Sequence, residues 1–257
     1  MDIHEALAAV DKVCLDIVGD VYDESHYFHV HRVRFAYTLM ALSELGAPGR
    51  FLEVGSDGLF LRLARDVLGS AEAAGTNHTS DEPYVRVSQD ENLWTFYVGD
   101  LEAGPLPRES ETFDTILCGE VIEHMPRDPM GLLLEINRLL VPGGRCVITT
   151  PNVASFRNIK MAIDGGVPMN FYQFRKDGSL DRHHIEYTAG LLSDLVEAAG
   201  FEVESLETQD CWALPDENLV AYMQGLGVDL THRRDNIFLV ARKVGGVRER
   251  YPDFLYV

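Results

Sequence analysis

Positive charge is scarce in this chain. Against 41 aspartates and glutamates, the 257 residues set only 22 lysines and arginines, for a formal net charge of −19. Such a surface repels a polyanion, and no dense lysine or arginine run makes a local exception, so nucleic acid is not an expected partner. The same acidity also fits a plain solubility or salt adaptation. Cysteine is sparse as well. Cys14, Cys118, Cys146 and Cys211 lie far apart without a CxxC pair, and two of them sit in strand-like apolar runs, where cysteine is usually a small buried hydrophobe. That spacing supports neither a zinc site nor a disulfide framework, and no metal is expected from it. No apolar run approaches the roughly 20 residues that a bilayer span needs. The acidic start MDIHEALAAVDKVCLDIVGDV lacks the basic head and apolar centre of a secretion signal. Repeats and low-complexity segments are absent too. These absences together predict a protein of the reducing cytoplasm, with no membrane insertion; a homo-oligomer stays open.

What is present is apolar bulk, 46% of the residues, enough for a sizeable core. Ile3, Leu7, Val10, Cys14 and Ile17 recur at helical spacing, and a second helix runs through Leu45 after the histidine-rich stretch YDESHYFHVHRVRF. From Arg50, apolar strands (RFLEV, WTFYV, FDTILCG, RCVITT) alternate with helical stretches (LFLRLARDVLGSAEAA, PMGLLLEINRLL). That alternation predicts a parallel sheet covered on both faces. A polar segment over 151–187 interrupts it. A helix follows, with Thr188 as N-cap and Gly200 as its stop, and then the strands FEVESLE and NIFLVARK on either side of a second insert at 208–234. The organisation expected is a single domain over 1–257, with 1–48 as a helical lid and both inserts on the acceptor side.

Ligands of such a sheet bind beyond the carboxyl ends of its strands. The stretch FLEVGSDGLFL lies at such an end: Gly55 allows a sharp turn, Gly58 a close backbone approach, and the next helix points its amides inward. Glu53 offers a carboxylate to a cationic or hydroxyl group. The three-glycine dinucleotide fingerprint is not met, which disfavours a nicotinamide oxidoreductase. Two glycines alone fit a purely structural turn equally well.

Further stretches follow in order: YVGDLEAGPLP, FDTILCGEVIEHMPRDP, LLEINRLLVPGGRCVITTPN and HHIEYTAGLLSDLVEAAGFEVESLE. From Phe51 to Lys243 this series resembles the class I S-adenosylmethionine-dependent methyltransferases, in the branch with EVIEH and LxPGG stretches and an HxxxYT tail. The resemblance implies a Rossmann-like, doubly wound, seven-stranded α/β sheet in the order 3-2-1-4-5-7-6 with its last strand antiparallel. It implies S-adenosyl-L-methionine as cofactor, with Glu53, Gly55, Ser56, Asp57 and Gly58 at its methionine end. Asp100 and Leu101 fall at the adenine, and Cys118, Gly119 and Glu120 beneath the methyl donor. The first motif departs from E-x-G-x-G-x-G, and the acid expected at the ribose is replaced by Asn77, with Asp81 or Glu82 as substitutes.

Methyl transfer to a hydroxyl calls for a base near neutrality, which points to histidine. His183 and His184, beside Asp181, and His124 after the EVIE stretch are the candidates; capping or packing is the competing role for each. His26, His29 and His31, with Tyr27 and Arg32, show no metal-ligand spacing and read as a lid or a solvated surface. Asp181, His183 and neighbouring acids leave a divalent ion open. Met161, Met169, Phe171, Tyr172 and Phe174 form either an acceptor wall or a satellite core. Arg157, Lys160, Arg175, Lys176 and Arg182 form a basic group that is either anion-receiving or ordinary loop solubility. The function expected is O-methylation of a small molecule, such as a sugar or polysaccharide precursor. The alternative is a non-catalytic binding or regulatory protein on the same fold.

Overall fold

Strand β1 (Arg50–Val54) shows how the sheet is built. Phe51 faces one side, Leu52 and Val54 the other, and all three are buried, because successive strand side chains point to opposite faces. In β5 (Phe113–Gly119), Ile116 and Cys118 join Leu52 while Leu117 joins Phe51. In β6 (Leu140–Pro151), Cys146 and Ile148 take the Leu52 side and Val147 the other. In β8 (Asn236–Lys243), Leu239 and Ala241 again oppose Val240. Two apolar layers result. Helices α1 (Ile3–Val18), α3 (Arg32–Glu44) and α4 (Leu59–Asp66) cover the Phe51 face. Helices α5 (Pro129–Leu139) and α7 (Ala189–Ala198) cover the Leu52 face.

The computed structural model describes residues 1–19, 22–78, 85–88, 94–168 and 174–257. Asp81 and Glu82, weighed above as ribose partners, lie outside the described residues, as do Met169, Phe171 and Tyr172 of the aromatic insert. The remaining strands are β2 (Glu72–Asn77), β3 (Val85–Ser88), β4 (Thr95–Val98) and β7 (Phe201–Gln209), and the sheet order is β3-β4-β2-β1-β5-β6-β8-β7. Without the short edge strand β3, which pairs antiparallel with β4, this is the expected 3-2-1-4-5-7-6 order. The last strand, β8, runs antiparallel to both its neighbours. The order reverses between β1 and β5, so the crevice of a doubly wound sheet opens at their carboxyl ends. Among the described residues no helix is long and apolar enough to cross a membrane.

Two helical expectations shift. The buried face of α1 is Ala6, Val10, Val13 and Cys14, capped by a reciprocal Asp2–Glu5 box, while Ile17 is exposed. The stretch from Leu59 is helical only to Asp66. Gly69, at φ 73°, breaks the chain, and Glu-Ala-Ala becomes the start of β2. Alanine favours a helix locally, but pairing beside β1 buries Ala73 and Ala74 fully enough to override it. The inserts carry structure of their own. Phe156 of α6 (Phe156–Ile163) packs on Leu219 and Met223 of α8 (Glu217–Gly225), joining the two inserts through a satellite core.

The turn after β1 places both its glycines at positive φ, and at one of them a side chain would also not fit. Gly55 has φ 72°, and a Cβ there would meet Val121 Cγ2 at 2.5 Å; Gly58 has φ 94° with open space around it. Gly55→Ala is therefore expected to cost about 2–4 kcal/mol from backbone strain and overpacking. Gly58→Ala should cost about 1–2 kcal/mol from backbone strain alone. Urea midpoints at unchanged slope check this; equal losses would mean that Val121 yields freely.

Candidate active site

The strand alternation that builds the core also aims the site. Glu53 shares its face of β1 with Phe51, so its carboxylate points toward α3 and α4 and is buried. Ser56 Oγ donates to Glu53 Oε2 at 2.5 Å and accepts from the Gly58 amide at 3.0 Å, while Asp57 Oδ1 accepts from the Leu59 amide that opens α4. The Gly55 and Ser56 amides bond back to Thr76 of β2. Ser56 and Asp57 stand where the familiar motif has more glycine, yet neither has a positive φ. The two glycines retained are the two that the turn needs. Burial pushes the Glu53 carboxyl up from its ordinary range, and the Asp57 carboxylate adds to the effect.

A buried arginine faces this pair. Arg34 of α3 is 4% exposed; its Nη1 lies 2.9 Å from Glu120 Oε2, and its Nη2 donates to the Tyr27 hydroxyl at 3.1 Å. Its Nε is buried without a partner. Glu120 follows β5 in the left-handed region, at φ 55°. Its other carboxylate oxygen accepts from Thr149 Oγ1 (2.8 Å) and Asn236 Nδ2 (3.1 Å). Arg34, Glu53, Asp57 and Glu120 line one small cavity of about 50 Å³, with Tyr27, Thr38 and Gly119.

The other cofactor candidates divide. Asn77 ends β2 and its Nδ2 donates to the Ser56 carbonyl, so the amide braces the turn. Asp100, nearly buried after β4, accepts from the Glu102 amide, and Leu101 packs on the core beside it. Gly119 lines the cavity, but the Cys118 side chain is wholly buried on the opposite face of β5 and does not reach it.

A second cavity, about 610 Å³, adjoins the first and shares Tyr27, Arg34 and Glu120 with it. His124 and His183 line it with ring centroids 4.8 Å apart. His183 Nδ1 lies 2.7 Å from Glu186 Oε1. A carboxylate can only accept, so Nδ1 carries the proton and Nε2 is left as the basic nitrogen. Burial pushes His124 down to about 4, with His183 adding to the shift. The sequence puts Asp181 beside the histidine pair, but Asp181 pairs with Arg175 (2.6 Å) and lies 3.6 Å from His124, so the carboxylate on His183 is Glu186. His184 is set apart: its Nε2 donates to the Leu180 carbonyl and bridges the loop. His31 and Trp212 meet across the cavity, with Trp212 Nε1 donating to His31 Nδ1 at 3.4 Å. Burial pushes His31 down to about 4, which keeps that nitrogen a free acceptor. Among the described residues, Glu123, His124 and His183 bring one donor atom each within 4.8 Å of one another, a set able to hold a divalent cation. Glu123 is fully buried, its Oε1 has no partner, and burial pushes its carboxyl up to about 7.

Arg34 and Glu186 carry this geometry and are not legible as site residues in the sequence, whereas Tyr27 belongs to the stretch read there as a lid or a solvated surface. Arg34 had one signal: it falls on the buried stripe Arg34, Thr38, Leu42 of α3, a core position for which the helix supplies no counter-charge.

The profile of a family described as a methyltransferase domain matches residues 27–206. A ubiquinone biosynthesis O-methyltransferase of Cereibacter sphaeroides is 35% identical over 121 residues, 45% of this chain and 46% of that protein. The chain thus spans less than half the length of the curated relatives it matches. Among solved structures, a chain from a Haloferax volcanii complex containing the Trm112 methyltransferase activator has TM-score 0.55 at 17% identity, covering 95% of this chain and 97% of that one. The [4+2]-cyclase SpnF has TM-score 0.53 at 20% identity, covering 94% and 95%. At these identities the structural likeness speaks to fold alone.

The buried acids set a pH dependence of stability. Glu53 and Glu123 hold protons in the folded state where the unfolded chain, near 4.5, has released them. Unfolding releases protons from these two acids. His31 and His124, pushed down to about 4 in the fold, instead take protons up on unfolding below their ordinary value of 6.5. The two effects oppose each other there, and stability falls as pH rises between about 6.5 and 8. Thermal melts across that range should show a falling Tm, and Glu53→Gln and Glu123→Gln should each flatten the slope. An unchanged slope in both variants would assign it to other groups.

Proposed function

The chain belongs to the methyltransferase-domain family, whose cofactor is S-adenosylmethionine, and we propose that it methylates a hydroxyl oxygen of a small ring compound, a sugar or a phenol. The observation that carries this reading is one shared wall. The turn after β1 and a cavity holding a carboxylate-oriented imidazole meet at Tyr27, Arg34 and Glu120.

The residues at the turn fit the cofactor. Its amino-acid end carries a carboxylate and an ammonium, and its sulfonium is cationic. The unpartnered Nε of Arg34 would receive the carboxylate, and Glu53 with Asp57 would face the positive charges. When bound, S-adenosylmethionine supplies a methyl group on a leaving group already activated. The cavity of about 50 Å³ is far below the roughly 300 Å³ at which small-molecule pockets begin. Outward movement of the short α2 (Tyr27–Val30), whose Tyr27 lines both cavities, would enlarge this space, which supports a lid role within residues 1–48.

The remaining work is positioning and proton removal. Tyr27, His31 and Trp212 offer flat faces to a ring, and His183 Nε2 accepts the hydroxyl proton while Glu186 holds the resulting imidazolium. His124, held neutral, packs against His183 and limits solvent access. Four free, buried cysteines favour action in a reducing compartment. A second arrangement is favoured by the unpartnered oxygen of Glu123: a divalent cation on Glu123, His124 and His183, which chelator-sensitive activity would reveal. The non-catalytic alternative leaves the His183–Glu186 pair without a purpose.

Thermal shifts should rise with S-adenosylmethionine and S-adenosylhomocysteine but not with NAD or NADP, by roughly 2.7 kcal/mol of stabilisation at 100 times Kd. A response to the nicotinamides alone would revive the oxidoreductase reading. Against a panel of hydroxylated acceptors, His183→Asn should lower kcat by about 10²–10⁴-fold with cofactor affinity unchanged. Cofactor binding without turnover of any acceptor would establish a binding protein instead.

A further inference from the structure

The cavity beneath the two inserts is lined by one exposed cation, Arg157, whose side chain no described residue pairs. Arg157 is the second residue of α6. Phe156 and Ile159 turn toward α8 in the satellite core, while Arg157 and Met161, one helical turn apart, both line the cavity. The other charged groups there have partners, apart from the Arg34 Nε already assigned to the cofactor. Arg34 is paired with Glu120, and Asp181 with Arg175; Glu123 lies fully buried, with Thr150 Oγ1 donating to it. Nearby bases are occupied too. Lys160 holds Asp164, Arg182 donates to the His183 carbonyl and sits over the Phe174 ring, and Arg233 donates to the Ala154 and Asp229 carbonyls. Asp235 is within electrostatic reach of Arg157, but its carboxylate accepts the Trp212 and Ala213 amides at 3.3 and 3.4 Å. The Arg157 side chain makes no hydrogen bond or ion pair with a described residue.

On the methyltransferase reading, we propose that Arg157 is the anion-binding subsite of the acceptor cavity, so that the acceptor is a hydroxylated ring compound bearing a carboxylate or phosphate. The ring lies along Trp212 and Tyr27, its hydroxyl meets His183, and its anionic group reaches Arg157. A planar guanidinium with every donor free is suited to two-point binding of either oxyanion. In a chain of net charge −19, such a site also selects by position, since the rest of the surface repels the same ligand.

The test titrates the protein, saturated with S-adenosylhomocysteine, with two matched pairs: catechol and 3,4-dihydroxybenzoate, glucose and glucose 6-phosphate. At least one anionic member should bind about ten-fold or more tighter than its neutral partner, and the pair that responds separates carboxylate from phosphate. Arg157→Gln should erase that advantage while leaving the neutral compound and S-adenosylhomocysteine bound as before, which also reports an intact fold. Equal binding within both pairs, or a preference that survives Arg157→Gln, would overturn the proposal while leaving the methyltransferase reading in place. Failure of the unaltered protein to bind S-adenosylhomocysteine would overturn the methyltransferase reading, and the acceptor proposal with it.

Discussion

The ion pair between Arg34 and Glu120 is the contact on which the site depends. It joins the N-terminal helices to the carboxyl end of a central strand and forms part of both cavities. Its two side chains are only 5% and 15% exposed, so losing one partner would strand a desolvated charge, at a cost of about 3–5 kcal/mol. Glu120 is held from three directions, by Arg34, Thr149 and Asn236, and its left-handed backbone persists because those contacts over-determine it. Arg34 still keeps one donor free. The pair is thus both a structural tie and a partly unsatisfied site, the condition in which a ligand gains most by completing the set.

From that tie the rest follows by the geometry of a strand. Of the sheet residues that line the small cavity, Glu53, Leu117 and Thr149 project their side chains from the face covered by α1, α3 and α4, Gly119 has none, and the Val54 side chain lies in the opposite layer. Cys118 sits between two of them in sequence and points the other way, into the core. The larger cavity is assembled differently, by contacts between segments far apart in the chain. Phe156 packs on Leu219 and Met223, and Trp212 reaches His31. These close two inserts and an N-terminal segment around a single space.

The first turn shows how far a motif can be read. In letters, it departs from the pattern E-x-G-x-G-x-G. The backbone shows that Gly55 and Gly58 are the positions with positive φ, and that Ser56 and Asp57 fill the places between with hydrogen bonds that brace Glu53 and open α4. A glycine is required by a backbone angle, and a string of letters records that angle only indirectly. The basic group of the insert illustrates the same limit. Its five members look alike in sequence, but ion pairs take up Lys160 and Arg175, a stacked ring and a carbonyl take up Arg182, and of Arg157 and Lys176 it is Arg157 that lines the cavity.

The sequence by itself determined the alternation of strands and helices, the acidic turn after the first strand, the Thr188 cap, and the strand ends at which Asp100 and Glu120 fall. Each of these is local, written in periodicity, capping residues or short-range spacing. Only the tertiary structure decided that β2 begins at Glu72, that Glu186 rather than Asp181 orients His183, that His184 stays outside the cavity, and that Arg34 crosses to Glu120. Those outcomes depend on which neighbour a residue meets across the sheet or between inserts. Burial and pairing energies between distant segments override local propensity there, and no short stretch of sequence encodes them.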